Sequence, residues 1–349
     1  MLATALTTMT TLEVVLFSKN NVPFFAVVKV PRLQIAPHVA NLPRMKPMPD
    51  FKTEYVPCSE AERAGVELWI RRLDMIDSPA PGNKAWKLMY HVERANLQPK
   101  PALLTFGGAW SNHLHATAAI GASLGMRTIG VIRTTESELA RPTPTLRDCK
   151  NFGMELFPVS RSEYKEKDEP FFKAWLCNRF DNPWVVPEGG GGPLGVMGCK
   201  HLVENTDIKK PWDAVVVSAG TGATAAGILL GLKGTAPLYV ANALKGFDMR
   251  QNIERQLNLA LNDSEWSSEI AGGCKVWNDA HLGGFGQISK STQSFIEKWN
   301  AETGILLDGV YTAKTLIRLQ LAWRKSPAWK NRRVLFVHTG GLQGNRSWQ

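Results

Sequence analysis

Cysteine is scarce and follows no pairing pattern: Cys58, Cys149, Cys177, Cys199 and Cys274 are scattered, odd in number and never spaced C-x-x-C. That excludes a disulfide framework and a cysteine-based zinc site, and it favours a reducing, cytoplasmic compartment. The seven histidines show neither H-E-x-x-H nor paired Cys/His spacing, so no metal is expected. No stretch reaches the roughly 18 to 20 apolar residues of a membrane span. The apolar runs at 12–17 and 22–30 are short and separated by Lys19, Asn20 and Asn21. The start also lacks the early positive charge of a secretory signal. Residues 1–49 therefore read as an atypical extension, poorly ordered or from an early start codon, with organellar targeting left open.

Charge is present in excess but not in clusters. The formal charge is +10, yet the basic residues are spread along the chain. The densest group, 325–333, also holds Pro327 and Trp329. A distributed excess reads as a solvated basic surface, so a nucleic-acid partner is not expected. An anionic substrate or cofactor gains modestly from that field.

From residue 66 onward, short β-rich runs alternate with helix-like stretches. Strands are predicted over 66–71, 103–106, 128–132, 155–159, 184–186, 214–217, 238–243 and 334–338. Helices are predicted from about Lys84, over 112–124, 145–151, 162–179, 194–204 and 250–261, and from the glycine turn after 217 to Leu232. Within 162–179, Phe171, Phe172, Trp175 and Leu176 are expected to share an apolar face. This alternation predicts an α/β fold with twisted, mostly parallel sheets flanked by helices and right-handed crossovers. The glycine-rich break at 187–193 and the segment before Pro101 are the expected crossing points between domains. They divide the chain into the extension 1–49, a larger domain of 50–97 plus 188–349, and a smaller inserted domain of 98–187.

Three segments carry chemistry. Gly82-Asn83-Lys84 places an amine just after a turn-forming pair, and a lysine buried between domains keeps its neutral form populated. Lys87, one helical turn later, competes for that role, and residue chemistry alone does not separate the two. Ser218-Ala219-Gly220-Thr221-Gly222-Ala223-Thr224 follows a strand and opens an Ala-rich helix, so its N–H groups form an anion cradle. The same run fits G-x-G-x-x-A. A dinucleotide site also wants an acid at the end of the next strand, and none occurs before Asp248. A compact phosphate ester fits better. Ser111-Asn112-His113 starts a helix after Gly107-Gly108, as an ordinary cap or as contacts to a pyridine ring and substrate. Tyr311 also opens a helix. An amine, an anion cradle and a polar helix start together suit pyridoxal 5'-phosphate.

Taken in order, these segments resemble the pyridoxal-phosphate family of 1-aminocyclopropane-1-carboxylate deaminase and D-cysteine desulfhydrase, which shares the tryptophan synthase β-like two-domain fold. The resemblance spans about residues 66–345. It rests on Gly82-Asn83-Lys84 with Lys87-Leu88, Gly107-Gly108 through His113, and Pro187-Glu188-Gly189-Gly190 with Pro193-Leu194-Gly195. Further on it takes in Gly220-Thr221-Gly222, Leu307-Asp308 with Val310-Tyr311, and His338-Thr339-Gly340-Gly341.

The resemblance implies that Lys84 is the Schiff-base lysine and that Asn112 contacts the cofactor's phenolic oxygen. It implies that Gly220, Thr221, Gly222, Ala223 and Thr224 hold the phosphate. Ser111, Asn112, His113, Phe285 and Tyr311 would face the substrate, with Ser111 and Tyr311 taking catalytic parts. Thr312 and Thr339 stand where the deaminase typically has Glu and Leu, a pattern similar to the desulfhydrase branch. A hydroxyl at the pyridine nitrogen makes a weaker electron sink than a carboxylate, adequate when a good β-leaving group departs. The implied reaction is α,β-elimination of a small D-amino acid such as D-cysteine, in a homodimer. The alternatives are the deaminase, and a cofactor-binding protein with little turnover, because Phe285 stands where family members commonly carry Tyr.

Overall fold

A computed structural model describes residues 50–204 and 211–348, together with the backbone of two earlier strands. Those two, β1 (Met9–Phe17) and β2 (Pro23–Pro31), pair antiparallel, with Met9 opposite Pro31 and Phe17 opposite Pro23. The rest of the expected N-terminal extension lies outside the described residues.

The main sheet begins with β3 (Lys52–Tyr55) and β4 (Glu67–Arg72). The chain then leaves to build a second, four-stranded sheet from β5 (Ala102–Gly108), β6 (Arg127–Arg133), β7 (Glu155–Val159) and β8 (Trp184–Val186), in the order β7-β6-β5-β8. It returns to complete the first sheet with β9 (Ala214–Ala219), β10 (Leu238–Asn242), β11 (Cys274–Trp277) and β12 (Arg333–His338). That sheet has six strands in the order β11-β10-β9-β12-β4-β3. Every pairing in both sheets is parallel except β3 with β4. The fold is α/β with mostly parallel sheets, as the alternation of elements predicts.

Strand composition follows from this burial. β9 reads Ala-Val-Val-Val-Ser-Ala and is buried at every position, as a parallel strand covered on both faces must be. Its alternate residues serve two cores: Val215 and Val217 pack with helices Gly192–Lys200 and Ala223–Leu232, while Ala214 and Val216 pack with helix Thr312–Lys325.

Helix Lys84–Asn96 is wedged between the sheets. Its Trp86, Met89 and Tyr90 join the core of the six-stranded sheet. Leu88, Val92 and Ala95 pack instead with Leu103 and Val186 of the four-stranded sheet. An apolar residue on nearly every side is how a helix sandwiched between layers reads. Lys84 consequently starts its helix at the junction of the two cores.

Two expectations are corrected. Residues 162–179 do not form one helix: Arg161–Lys165 is capped by Ser160 with Glu163, a turn follows at Glu166–Asp168, and Pro170–Arg179 begins anew. Pro170 has no N–H to continue the earlier helix but suits the first turn of the next. Of its apolar set only Phe172 and Leu176 are buried, whereas Phe171 and Trp175 stay 48% and 40% exposed. The helix expected over 194–204 runs from Gly192 to Lys200, with Pro193 in its first turn. Strands β3 and β11 and helices Ser264–Gly272 and Lys290–Thr303 were not anticipated.

Helix Gly192–Lys200 approaches helix Lys84–Asn96 through glycine. A methyl group on Gly198 would lie 1.9 Å from the Trp86 carbonyl oxygen, backbone that cannot move aside cheaply. Overpacking of this kind costs about 1–3 kcal/mol. Gly198→Ala should therefore lower the urea midpoint of unfolding by a corresponding amount, and an unchanged midpoint would contradict this packing.

Candidate active site

The approach to Lys84 is set by backbone. Gly82 adopts φ +110° and forms an isolated antiparallel bridge with Gly340, itself at φ +75°. A methyl group on Gly82 would come within 2.6 Å of the Thr339 carbonyl oxygen, and one on Gly340 within 2.6 Å of the Gly82 Cα. Only glycine permits both the left-handed conformation and this contact. The Asn83 N–H then donates to the Thr339 carbonyl at 3.1 Å, fixing the helix start against the end of β12.

Asn83 links the amine to the glycine-threonine turn. Its Nδ2 donates to Thr224 Oγ1 at 2.8 Å, and its Oδ1 accepts from Lys84 Nζ at 2.9 Å. Lys84 and the Gly220–Thr224 turn, 136 residues apart at their nearer ends, thus share one side chain. Burial, and secondarily the charge of Lys87, push the Lys84 amine down to about 7, far below the usual lysine value. Lys87 is also lowered by burial, but its Nζ donates to the Gly189 carbonyl at 2.9 Å and reaches Thr221 Oγ1 at 3.4 Å. It faces the glycine turns.

The turn itself could receive an anion. Gly222 sits at φ +74° as the cap of helix Ala223–Leu232, and no side chain caps that helix. The first N–H groups of a helix have no partner within it and concentrate positive potential. Asn252 Nδ2 holds the loop from behind by donating to the Thr221 carbonyl at 2.8 Å.

The Ser111–His113 segment follows β5 of the four-stranded sheet. Ser111 caps helix Asn112–Leu124, its Oγ accepting from the Leu114 N–H at 3.2 Å. His113 is buried, with Nε2 2.7 Å from Thr105 Oγ1. Thr105 donates its only hydroxyl proton to the Val186 carbonyl at 2.9 Å, so it accepts from His113. The ring is therefore protonated at Nε2, and Nδ1 is a bare acceptor, buried and without a partner among the described residues. Burial first, then Lys84, Lys87 and His91, hold this imidazole well below its usual range and keep it neutral. Asn112 Oδ1 accepts from Gln343 Nε2 in the C-terminal turn Leu342–Ser347.

Tyr311 immediately precedes helix Thr312–Lys325. A methyl group on Gly220 would lie 3.2 Å from its hydroxyl, so the phenol lies over the glycine turn. Burial, then Asp308 and Glu188, raise its pKa and keep it protonated. Asp308 organises this corner: Oδ1 accepts from the Val310 and Tyr311 N–H groups, and Oδ2 from the Thr312 N–H and, at 2.6 Å, from Thr312 Oγ1. The Thr312 hydroxyl thus turns back to Asp308, while Thr339 Oγ1 meets Ser218 Oγ at 3.2 Å. The Phe285 ring stands edge-on to Tyr311 with centroids 5.9 Å apart. Lys314 secures the Phe285 loop by donating to the His281 and Gly284 carbonyls.

Sequence reasoning missed Asn83, Thr105, Asp308 as an organiser, and Gln343. Only Asp308 carried a usable signal, an Asx acceptor placed just before a helix. Asn83 was visible only as a turn residue.

A depressed amine, an uncapped helix start beside a second lysine, and a bare buried acceptor nitrogen suit a phosphorylated carbonyl cofactor. The chain belongs to the family of pyridoxal-phosphate dependent enzymes, whose sequence pattern it matches over residues 48–340. Among curated relatives it is similar to the mitochondrial bifunctional D-cysteine desulfhydrase/1-aminocyclopropane-1-carboxylate deaminase of Arabidopsis thaliana. The two are 29% identical, over 80% of this chain and 73% of the relative. It is 27% identical to the D-cysteine desulfhydrase of Klebsiella pneumoniae, over 82% of this chain and 90% of that protein. Among solved structures it resembles that of an ACC deaminase homologue, with TM-score 0.72, 26% identity, and coverage of 89% of this chain and 96% of the other. A threonine deaminase from Solanum lycopersicum, at TM-score 0.59 and 15% identity over 83% of this chain and 79% of the other, shares the fold.

The depressed amine has a measurable consequence. A protonated amine does not attack an aldehyde, so in cofactor-free protein the rate at which Lys84 captures pyridoxal should fall as pH drops through about 7. Lys87→Met removes a neighbouring positive charge and should move that midpoint upward. A midpoint at the usual lysine value, about 10.4, would contradict the burial of this amine.

Proposed function

We propose that the chain is a lyase that uses pyridoxal phosphate for α,β-elimination from a small D-amino acid, with D-cysteine giving pyruvate, hydrogen sulfide and ammonia after uptake of one water. The observation that carries this reading is the character of the corner at Thr312 and Thr339. Both positions offer hydroxyls, and the nearby Asp308 carboxylate is already occupied by three N–H groups and by Thr312. No free carboxylate at these two positions is available to sharpen the electron sink, which suits a substrate whose own leaving group carries electrons away.

Pyridoxal phosphate, when bound, supplies a sink for the electron pair released at Cα. The Gly220–Thr224 turn would hold its phosphate and Asn112 its phenolic oxygen. Lys84 would be the attachment point and, once released, the base that takes the Cα proton, a role its depressed pKa supports at neutral pH. The neutral Tyr311 phenol over Gly220 and the Ser111 hydroxyl would face the substrate. Phe285, beside Tyr311, shapes that space without a proton to give. This supports the rival reading of a cofactor-binding protein with little turnover. A further rival is 1-aminocyclopropane-1-carboxylate deamination, supported by the names of relatives such as the putative deaminase of Pyrococcus horikoshii, 28% identical over 88% of this chain and 94% of that protein.

The four-stranded sheet, built within residues 102–186, supports a division into a larger unit of 50–97 plus 188–349 and a smaller unit of 98–187. The free cysteines support a reducing compartment such as the cytoplasm. A homodimer is the assembly that the resemblance implies. No helix among the described residues is long and apolar enough to cross a membrane.

Purified holoenzyme mixed with D-cysteine should release sulfide and pyruvate. With 1-aminocyclopropane-1-carboxylate it should yield little 2-oxobutanoate. The reverse pattern would replace the desulfhydrase reading with the deaminase, and a coloured protein that turns over neither would favour the binding protein.

A further inference from the structure

Asn112 does not sit alone at its helix start. Its carboxamide is surrounded by the C-terminal turn: a methyl group on Gly341 would lie 2.9 Å from its Nδ2, and one on Gly344 would lie 3.4 Å from its Oδ1. Its Oδ1 accepts from Gln343 Nε2, while its Nδ2 has no hydrogen bond among the described residues.

The polarity of this amide pair follows from chemistry. An arginine guanidinium has donors only. Arg346 Nη2 lies 3.0 Å from one end of the Gln343 amide, so that end is the oxygen. Thr145 Oγ1 donates to the same oxygen at 3.0 Å. The other end of Gln343 is then NH2, and the Asn112 atom facing it must be an acceptor. Asn112 is left with its NH2 edge free. Amide orientations are settled by such networks, and this one starts at a guanidinium, which can only donate.

The network is anchored at both sheets. Arg346 Nη2 also meets Asp148 Oδ2 at 2.6 Å, and that oxygen lies 3.2 Å from His115 Nε2, one helical turn beyond Asn112. Thr145 and Asp148 lie on helix Pro144–Asn151, while Gln343 and Arg346 follow β12 of the six-stranded sheet.

We propose that Gln343, polarised by Arg346, is a positioning residue that holds Asn112 with its NH2 edge as a hydrogen-bond donor to the anionic phenolic oxygen of the cofactor. This rests on the reading of Asn112 given above. Gln343→Glu keeps the size and the Arg346 contact but replaces the donor with an acceptor. Asn112 would then turn its NH2 toward residue 343 and present its oxygen to the phenolic oxygen. The cofactor's anionic form loses a charge-assisted hydrogen bond, an effect of about one pH unit or more.

The test is a pH titration of the visible spectrum of holoenzyme, with the equilibrium constant for cofactor binding measured alongside, for wild type, Gln343→Glu, Gln343→Met and Asn112→Ala. The expected result is that Gln343→Glu moves the spectral midpoint in the same direction as Asn112→Ala, with about tenfold weaker cofactor binding. Gln343→Met, which removes the donor without reversing it, should move the midpoint less and in the same direction, and it decides the matter if the Glu variant does not fold. Folded Gln343 variants that overlay wild type while Asn112→Ala shifts would overturn the positioning role and leave the Asn112 contact standing. An Asn112→Ala titration identical to wild type would overturn both.

Discussion

The backbone contact between Gly82 and Gly340 is the constraint on which the site depends. It brings the end of β12 against the start of helix Lys84–Asn96, two segments that are 258 residues apart at the contact. Asn83 is thereby placed to reach both the Thr339 carbonyl and Thr224, and Lys84 to reach Asn83. A side chain at either glycine would push these segments apart by more than the hydrogen bonds tolerate. The amine's position is a property of two strand ends and two glycines, before any chemistry is considered.

The electrostatics follow from that placement. Lys84 and Lys87 occupy one junction between cores, and among the described residues neither amine has an ion-pair partner; both meet neutral acceptors. Burial disfavours both charges, and the depressed Lys84 amine is the result. His113 stays neutral for the same reason, with its one proton committed toward Thr105. An incoming phosphate would relieve this surplus of positive potential, and cofactor binding and the reactivity of the amine would then be coupled through the same charges. Tyr311, held protonated by burial and by Asp308, adds a neutral donor on the far side of the turn.

Much of this was legible in the sequence because it is local. The Val-rich β9, the glycine-threonine turn after it and the Ser111 cap are each written in consecutive residues, and the structure places them where periodicity and turn chemistry put them. What escaped depends on distant partners. Gln343 meets Asn112 across 231 positions, and nothing near either residue announces the other. The four-residue β11 is too short for a period to emerge, and β3 is an edge strand with a mixed pattern. The long helix expected over 162–179 failed for a local reason, the weight given to aromatic residues over Pro170. Thr312 shows a subtler limit, since its position was readable but the orientation of its hydroxyl toward Asp308 was not.

The central claim is that one cofactor joins the Lys84 amine to the Gly220–Thr224 turn. Reducing the holoenzyme with borohydride and mapping the labelled peptide tests it directly, because the two candidate lysines lie only three residues apart and mass spectrometry resolves them. A pyridoxyl adduct on Lys84 alone is the expected result. An adduct on Lys87, or on a lysine outside helix Lys84–Asn96, would contradict the account.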